Sequence, residues 1–159
     1  MSRTDSLPDG YNTVTAYLVV KDASAALKFY RDAFGAEELL RLPGPGGEGV
    51  LHSEMRIGNS VVMVADERVG STSARAPESL GATSVTLHLY VDDVDTLFHK
   101  AVAGGCKVAM PLYDAFWGDR YGKVTDPFGH EWSMSTRVKN MSNEELGRAA
   151  DEYMNQPSA

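Results

Sequence analysis

The chain spells one supersecondary unit twice, and this repeat restricts the possible folds more than any single motif does. Residues 13–20 (TVTAYLVV) are rich in β-branched and aromatic side chains and predict a strand. A helix follows, with Asp22 or Ser24 able to cap it. Ala23, Ala26, Leu27, Tyr30 and Phe34 recur along it at helical spacing as one buried stripe, and Gly35 supplies a left-handed stop. Residues 36–42 predict a second strand and 43–49 a Pro/Gly loop. Residues 50–57 and 60–65 predict two more strands, joined at Gly58-Asn59. The pattern then restarts. Residues 84–91 (SVTLHLYV) alternate, with Val85, Leu87, Leu89 and Val91 on one face and Thr86, His88 and Tyr90 on the other. Asp92 or Asp93 caps a second helix striped by Val94, Leu97, Phe98, Ala101 and Val102, and Gly104-Gly105 ends it. Strands over 107–112, 120–125 and 131–136 complete the second unit, with Asp126-Pro127-Phe128-Gly129 as the last turn. Thr15 aligns with Thr86, Val20 with Val91, and Asp22 with Asp93. The expected architecture is α+β: paired βαβββ modules, each with a helix on one face of its sheet and a cavity on the other.

A chain of 159 residues suits one such domain. Residues 1–11 predict a flexible N-terminus, and 12–139 the domain, with modules at about 12–66 and 84–139. Residues 67–83, rich in Ser, Ala, Arg, Gly and Pro, form an inter-module linker, a flap over a cavity, or a disordered stretch. Residues 140–159 predict a helical tail. Ser142-x-x-Glu145 is a capping box, and Leu146, Ala149, Ala150 and Tyr153 share a side that packs on the body or on a partner. The 22 acidic residues outnumber the 15 basic ones and no basic run occurs, which argues against nucleic-acid and anionic-membrane surfaces. No apolar run reaches the length of a signal peptide core or a membrane span. The single cysteine, Cys106, excludes an intramolecular disulfide and a cysteine-based zinc cluster, so a reducing, cytoplasmic setting is expected.

Three segments carry a family resemblance: AYLVV (16–20) with Asp22 and ALKFYRDAFG (26–35); RIGNSVVM (56–63); and, most specifically, FWGDRYGKVTDPFGHEW (116–132). In these the chain resembles the vicinal-oxygen-chelate superfamily of glyoxalases, bleomycin-resistance proteins and extradiol dioxygenases, and within it the PhnB-like branch. The resemblance covers about residues 13–136. It implies the glyoxalase/bleomycin resistance/dihydroxybiphenyl dioxygenase fold, a homodimer, and a cleft between modules. It also implies two metal ligands per module, on the first and last strands, where an ion acts as Lewis acid. Carried onto this chain those positions are Thr15, Met63, Thr86 and Ser133. None offers the imidazole or carboxylate that a divalent ion wants, so standard glyoxalase I chemistry and a metal cofactor are not expected.

Other residues could carry chemistry. His88 shares a strand face with Thr86 and is a candidate base, hydrogen-bond donor or displaced ligand, or simply a polar lining residue. His52, Glu54 and Arg56 share a face. His52 and Glu54 could meet His88 and Glu131 as a displaced metal set, or sit on a solvated surface. Trp117, Asp119, Arg120 and Tyr121 form a polar-aromatic cluster suited to gripping a planar or charged ligand. Alternatively, Asp119 and Arg120 pair and pin the loop. Tyr17 and Tyr90 line the cavity or fill it. No nucleophile elbow, P-loop, dinucleotide fingerprint or HExxH motif is present. The leading expectation is metal-independent small-molecule binding. The alternatives are a divalent-metal lyase, isomerase or dioxygenase using His52, Glu54, His88 and Glu131, and a structural or regulatory dimer with a closed cavity.

Overall fold

The computed structural model describes residues 6–68 and 74–156. Residues 1–5 of the expected N-terminal stretch, 69–73 of the expected linker and 157–159 of the tail lie outside the described residues. Two compact units divide the chain, one comprising residues 1–84 and 127–130, the other 85–126 and 131–159.

The first unit runs β1 (Ala16–Val20), α1 (Ala23–Phe34), β2 (Glu37–Pro43), a 3₁₀ turn (Pro45–Gly47), β3 (Val50–Ile57), β4 (Ser60–Asp66) and a single-turn helix α2 (Pro77–Leu80). Its sheet has the order β1-β4-β3-β2, with β1 parallel to β4 and the other pairs antiparallel. The second unit runs β5 (Thr86–Tyr90), α3 (Val94–Ala103), β6 (Lys107–Asp114), β7 (Asp119–Thr125), β8 (Glu131–Arg137) and α4 (Asn143–Met154). Its sheet repeats the arrangement as β5-β8-β7-β6. The paired βαβββ reading of the repeat therefore holds. The strand limits move by one to three residues: β1 starts at Ala16, β6 extends to Asp114, and β7 begins at Asp119.

Each helix forms where the spacing places it. Asp22 and Asp93 cap α1 and α3 from nearly identical backbone angles, accepting from Ala25 N–H and Thr96 N–H. Gly35 ends α1 at φ 68, a conformation that costs a glycine little. Ala23, Ala26, Leu27, Phe29, Tyr30, Ala33 and Phe34 are buried beneath α1; Val94, Phe98 and Ala101 are buried beneath α3. Burying one large apolar side chain contributes about 1.5–3 kcal/mol, so these stripes hold the helices far more firmly than their caps do. Gly122 sits under α3, where a Cβ would come within 2.8 Å of Phe98 Cε2.

A side chain at the end of each last strand ties down the start of its helix. Asp66 Oδ1 accepts from Ala23 N–H and its Oδ2 from Val50 N–H, both at 2.6 Å. In the second unit Thr136 Oγ1 accepts from Val94 N–H at 2.9 Å and donates to Val91 O at 2.8 Å. The capping box at Ser142 and Glu145 opens α4 as the sequence predicts, although no residue of α4 is buried. Phe116 and Tyr153 contact at a centroid distance of 5.0 Å. Glu67, just after β4, accepts from Ser79 Oγ and Arg75 Nε. Among the described residues no helix is long and apolar enough to cross a membrane.

Candidate functional site

Period-two alternation gives each sheet a face without its own long helix. In the first unit that face carries Leu40 and Leu42 opposite Glu54 and His52, with Met63 between Glu54 and Tyr17. It is largely apolar. Its polar groups include the Arg56–Glu37 ion pair and a chain of contacts in which Tyr17 Oη lies 3.4 Å from His52 Nδ1 and His52 Nε2 lies 3.2 Å from Glu54 Oε1. Tyr11 also bonds Glu54, which pushes the Tyr11 phenol up to about 12, with burial and the carboxylate charge adding to the effect. The same bond from Tyr11, and then that from His52, hold Glu54 below the usual carboxylate range. Tyr17 and Val19 also line two open clefts of this unit. One, of about 270 Å³, includes Asp66 and Arg68; the other, of about 510 Å³, lies against Arg75, Pro77 and His130.

The corresponding face of the second unit is polar and aromatic. His88 lies opposite Ser133, Thr86 opposite Glu131, and Tyr90 opposite Ser135, while β7 places Lys123 and Tyr121 on the far side of the same serines. His88 Nδ1 is 2.7 Å from Ser133 Oγ and its Nε2 is 3.1 Å from Ser135 Oγ. Ser135 Oγ donates to Asp119 Oδ2 at 3.2 Å. Asp119 is only 1% exposed, and it also accepts from Trp117 Nε1 at 3.2 Å and pairs with Arg137 at 3.4 Å. Burial holds the His88 pKa below its ordinary value, while the Asp119 charge pulls weakly the other way. His88 contacts Tyr90 edge-on at 4.5 Å and lies nearly parallel to Tyr121 at 6.1 Å. Trp117, Tyr113 and Tyr121 pack edge-to-face beside them. Arg137 stacks over the exposed ring of Tyr90. Glu131 bonds Lys123 and Thr86, and Lys123 holds it below the usual carboxylate range.

The sequence-predicted group thus divides. His88, Tyr90, Trp117, Asp119, Tyr121 and Glu131 gather in the second unit; Tyr17, His52 and Glu54 gather in the first. Arg120 leaves the cluster, because alternation turns it to the opposite face of β7, where it bonds Asp95 and Asp114. An Asp119–Arg120 pair does not form: Asp119 bonds Trp117, Ser135 and Arg137 instead. Sequence reasoning passed over Ser135, Lys123, Tyr113 and Arg137. The alternation of β8 starting at Glu131 was the available signal, since it sets Ser133, Ser135 and Arg137 on one face.

The four positions that the family resemblance assigns to metal ligands present the wrong donors for a divalent ion. Thr15 Oγ1 donates to Asn12 O, Thr86 Oγ1 donates to Glu131, Ser133 is engaged by His88, and Met63 offers a thioether. Among the described residues no three His, Cys, Asp or Glu side chains gather so as to hold a metal ion. The residues present do not fit an ion at those positions.

Known proteins are similar to this chain in sequence or in fold. The protein Rv0887c of Mycobacterium tuberculosis is 44% identical over 138 residues, which cover 86% of this chain and 81% of that one. The crystal structure of TioX from Micromonospora sp. ML1 superposes with a TM-score of 0.64 at 28% identity, covering 80% of this chain and 99% of that one. A PhnB protein from Bacillus cereus shares the fold at a TM-score of 0.62 and 24% identity, over 79% of this chain and 99% of its own. The Glyoxalase/Bleomycin resistance protein/Dioxygenase superfamily matches residues 10–134, and the chain, with its paired βαβββ modules, belongs to that superfamily.

Proposed function

We propose that this protein binds a small planar molecule, without a metal, on the open face of the second sheet. The observation that carries the reading is the aromatic group of His88, Tyr90, Tyr113, Trp117 and Tyr121 around a floor of small serines. Rings set edge-to-face and side by side offer stacking surface, and the Ser133, Lys123 and Glu131 groups beneath offer hydrogen bonds that fix a ligand's orientation. A metal-dependent reaction has less support. His52 and Glu54 hold each other, and Glu131 is held by Lys123. The exposed Tyr17, Leu40 and Leu42 on the first sheet's open face support a homodimer in which a second copy covers them. The lone thiol Cys106, buried and pushed up to about 12 by that burial, supports a reducing cytoplasm.

The test is a thermal-shift screen of aromatic and heteroaromatic metabolites, antibiotics and 2-oxo acids, followed by tryptophan-fluorescence titration. At a ligand concentration a hundred times Kd the folded state gains about 2.7 kcal/mol, which raises Tm by roughly 5–11 °C. A genuine ligand alters Trp117 emission and loses its effect in Y121A and W117F. A screen in which no planar compound stabilises the protein, or in which hits are indifferent to both substitutions, refutes the reading.

A further inference from the structure

The hydrogen bonds of the second sheet run in one direction, and that direction is forced from the buried end. Asp119, paired with Arg137 and accepting the Trp117 indole N–H, can only accept, so the Ser135 hydroxyl donates to it. With its proton committed, Ser135 Oγ must accept from His88, which fixes the imidazole as the Nε2–H tautomer. His88 Nδ1 is then a lone pair, and the hydroxyl 2.7 Å away on Ser133 must donate into it. Asp119 at 1%, Ser135 at 0% and Ser133 at 4% are all buried, and His88 is the exposed member of the chain of bonds. Across β8 from His88, Lys123 lies directly opposite Ser133 in the register, its ammonium paired with the neighbouring Glu131, so a base and a cation stand on the two strands flanking this hydroxyl.

We infer that Ser133 is a nucleophile for acyl transfer from an ester or thioester, with His88 as its base and Lys123 as the cation facing the developing oxyanion. This goes beyond ligand binding on the same face. In the step, Ser133 Oγ forms a bond to the acyl carbon while its proton passes to His88 Nδ1. The carbonyl electron pair moves onto oxygen, near the Lys123 ammonium. Collapse breaks the bond to the alcohol or thiol, which leaves with the proton from Nδ1, and an acyl-serine remains. Water, giving a proton to the same nitrogen, then bonds to the acyl carbon; the bond to Ser133 Oγ breaks, the serine takes the proton back, and the carboxylic acid leaves. Ser135 and Asp119 never touch the acyl group; they are positioning residues that fix the imidazole tautomer.

The experiment treats the purified full chain with a fluorophosphonate probe and with p-nitrophenyl acetate, mapping adducts by peptide mass spectrometry. One adduct per chain on Ser133 is expected, absent in S133A and formed about 10²-fold or more slowly in H88N. S133C, which preserves the side-chain shape, should take the acyl group from a p-nitrophenyl ester at residue 133, which keeps the test of the nucleophile valid if H88N folds poorly. In S135A the ¹⁵N shifts of His88 should move from a single Nε2–H tautomer to a mixture, a change that a purely structural role would not produce. A folded wild type that gains no adduct overturns the proposal. So does labelling at a lysine or tyrosine, or labelling unchanged in S133A. A wild type that binds a planar ligand yet takes no adduct would leave the binding reading intact and remove only this one.

Discussion

Replacing Asp66 by Ala tests how the first module is closed. The carboxylate accepts two backbone N–H groups at 2.6 Å, one at the start of α1 and one at the start of β3. Each is charge-assisted, and such bonds contribute roughly 1.5–3 kcal/mol. Both sites are part-buried, so water recovers some of the loss, and the low end, about 3 kcal/mol in total, is expected for D66A. For a chain of this size that lowers Tm by about 6–12 °C. Thr136 supplies an internal control, since it occupies the same place in the second module and accepts one N–H through a neutral hydroxyl. T136A should cost about 1 kcal/mol, or roughly 2–4 °C, and D66N, which keeps one carbonyl oxygen, should fall between them. Differential scanning calorimetry of the three variants with matched chemical denaturation gives the comparison. If D66A melts no lower than T136A, the two 2.6 Å contacts are not holding the seam and the argument fails.

Two further outcomes follow from the packing and the charges. G122A places a methyl group within 2.8 Å of Phe98 and 3.0 Å of Leu112, and overpacking of that kind should destabilise by about 1–3 kcal/mol, measured as a drop in the urea midpoint at unchanged slope. His88 is held neutral, with its folded pKa below the ordinary 6.5, so its contribution is complete above that pH and is lost as pH falls through the lowered value. Glu54 and Glu131 are held below 4.5, so their contributions persist above that pH and disappear further into acid. Denaturant midpoints from pH 8 to pH 3 should decline in two stages, the first absent in H88Q. A first stage that survives H88Q would show that another group drives it.

The alternation in residues 84–91 was enough to set His88 and Tyr90 on the open face and Leu87 and Leu89 on the other, because a strand has only two sides. The same rule applied to β7 would have separated Arg120 from Asp119 and Tyr121, which adjacency in sequence had joined. What alternation could not reveal is which residues meet across strands. Ser133 and Ser135 become a partner set for His88 only when β8 lies parallel to β5 in one particular register, a non-local fact absent from any local window. Asp66 was equally silent as a strand-ending residue, since its two partners lie 43 and 16 positions away.

Tyr17 faces Met63 in one module where His88 faces Ser133 in the other, two matching stations on a duplicated template. Since outward residues of β4 and β8 alternate with those that pack under the helices, either panel can change its wetting and reactivity while the interior stays as it was. Duplication has left one greasy panel and one wet panel on the same scaffold, and each is free to drift toward its own chemistry.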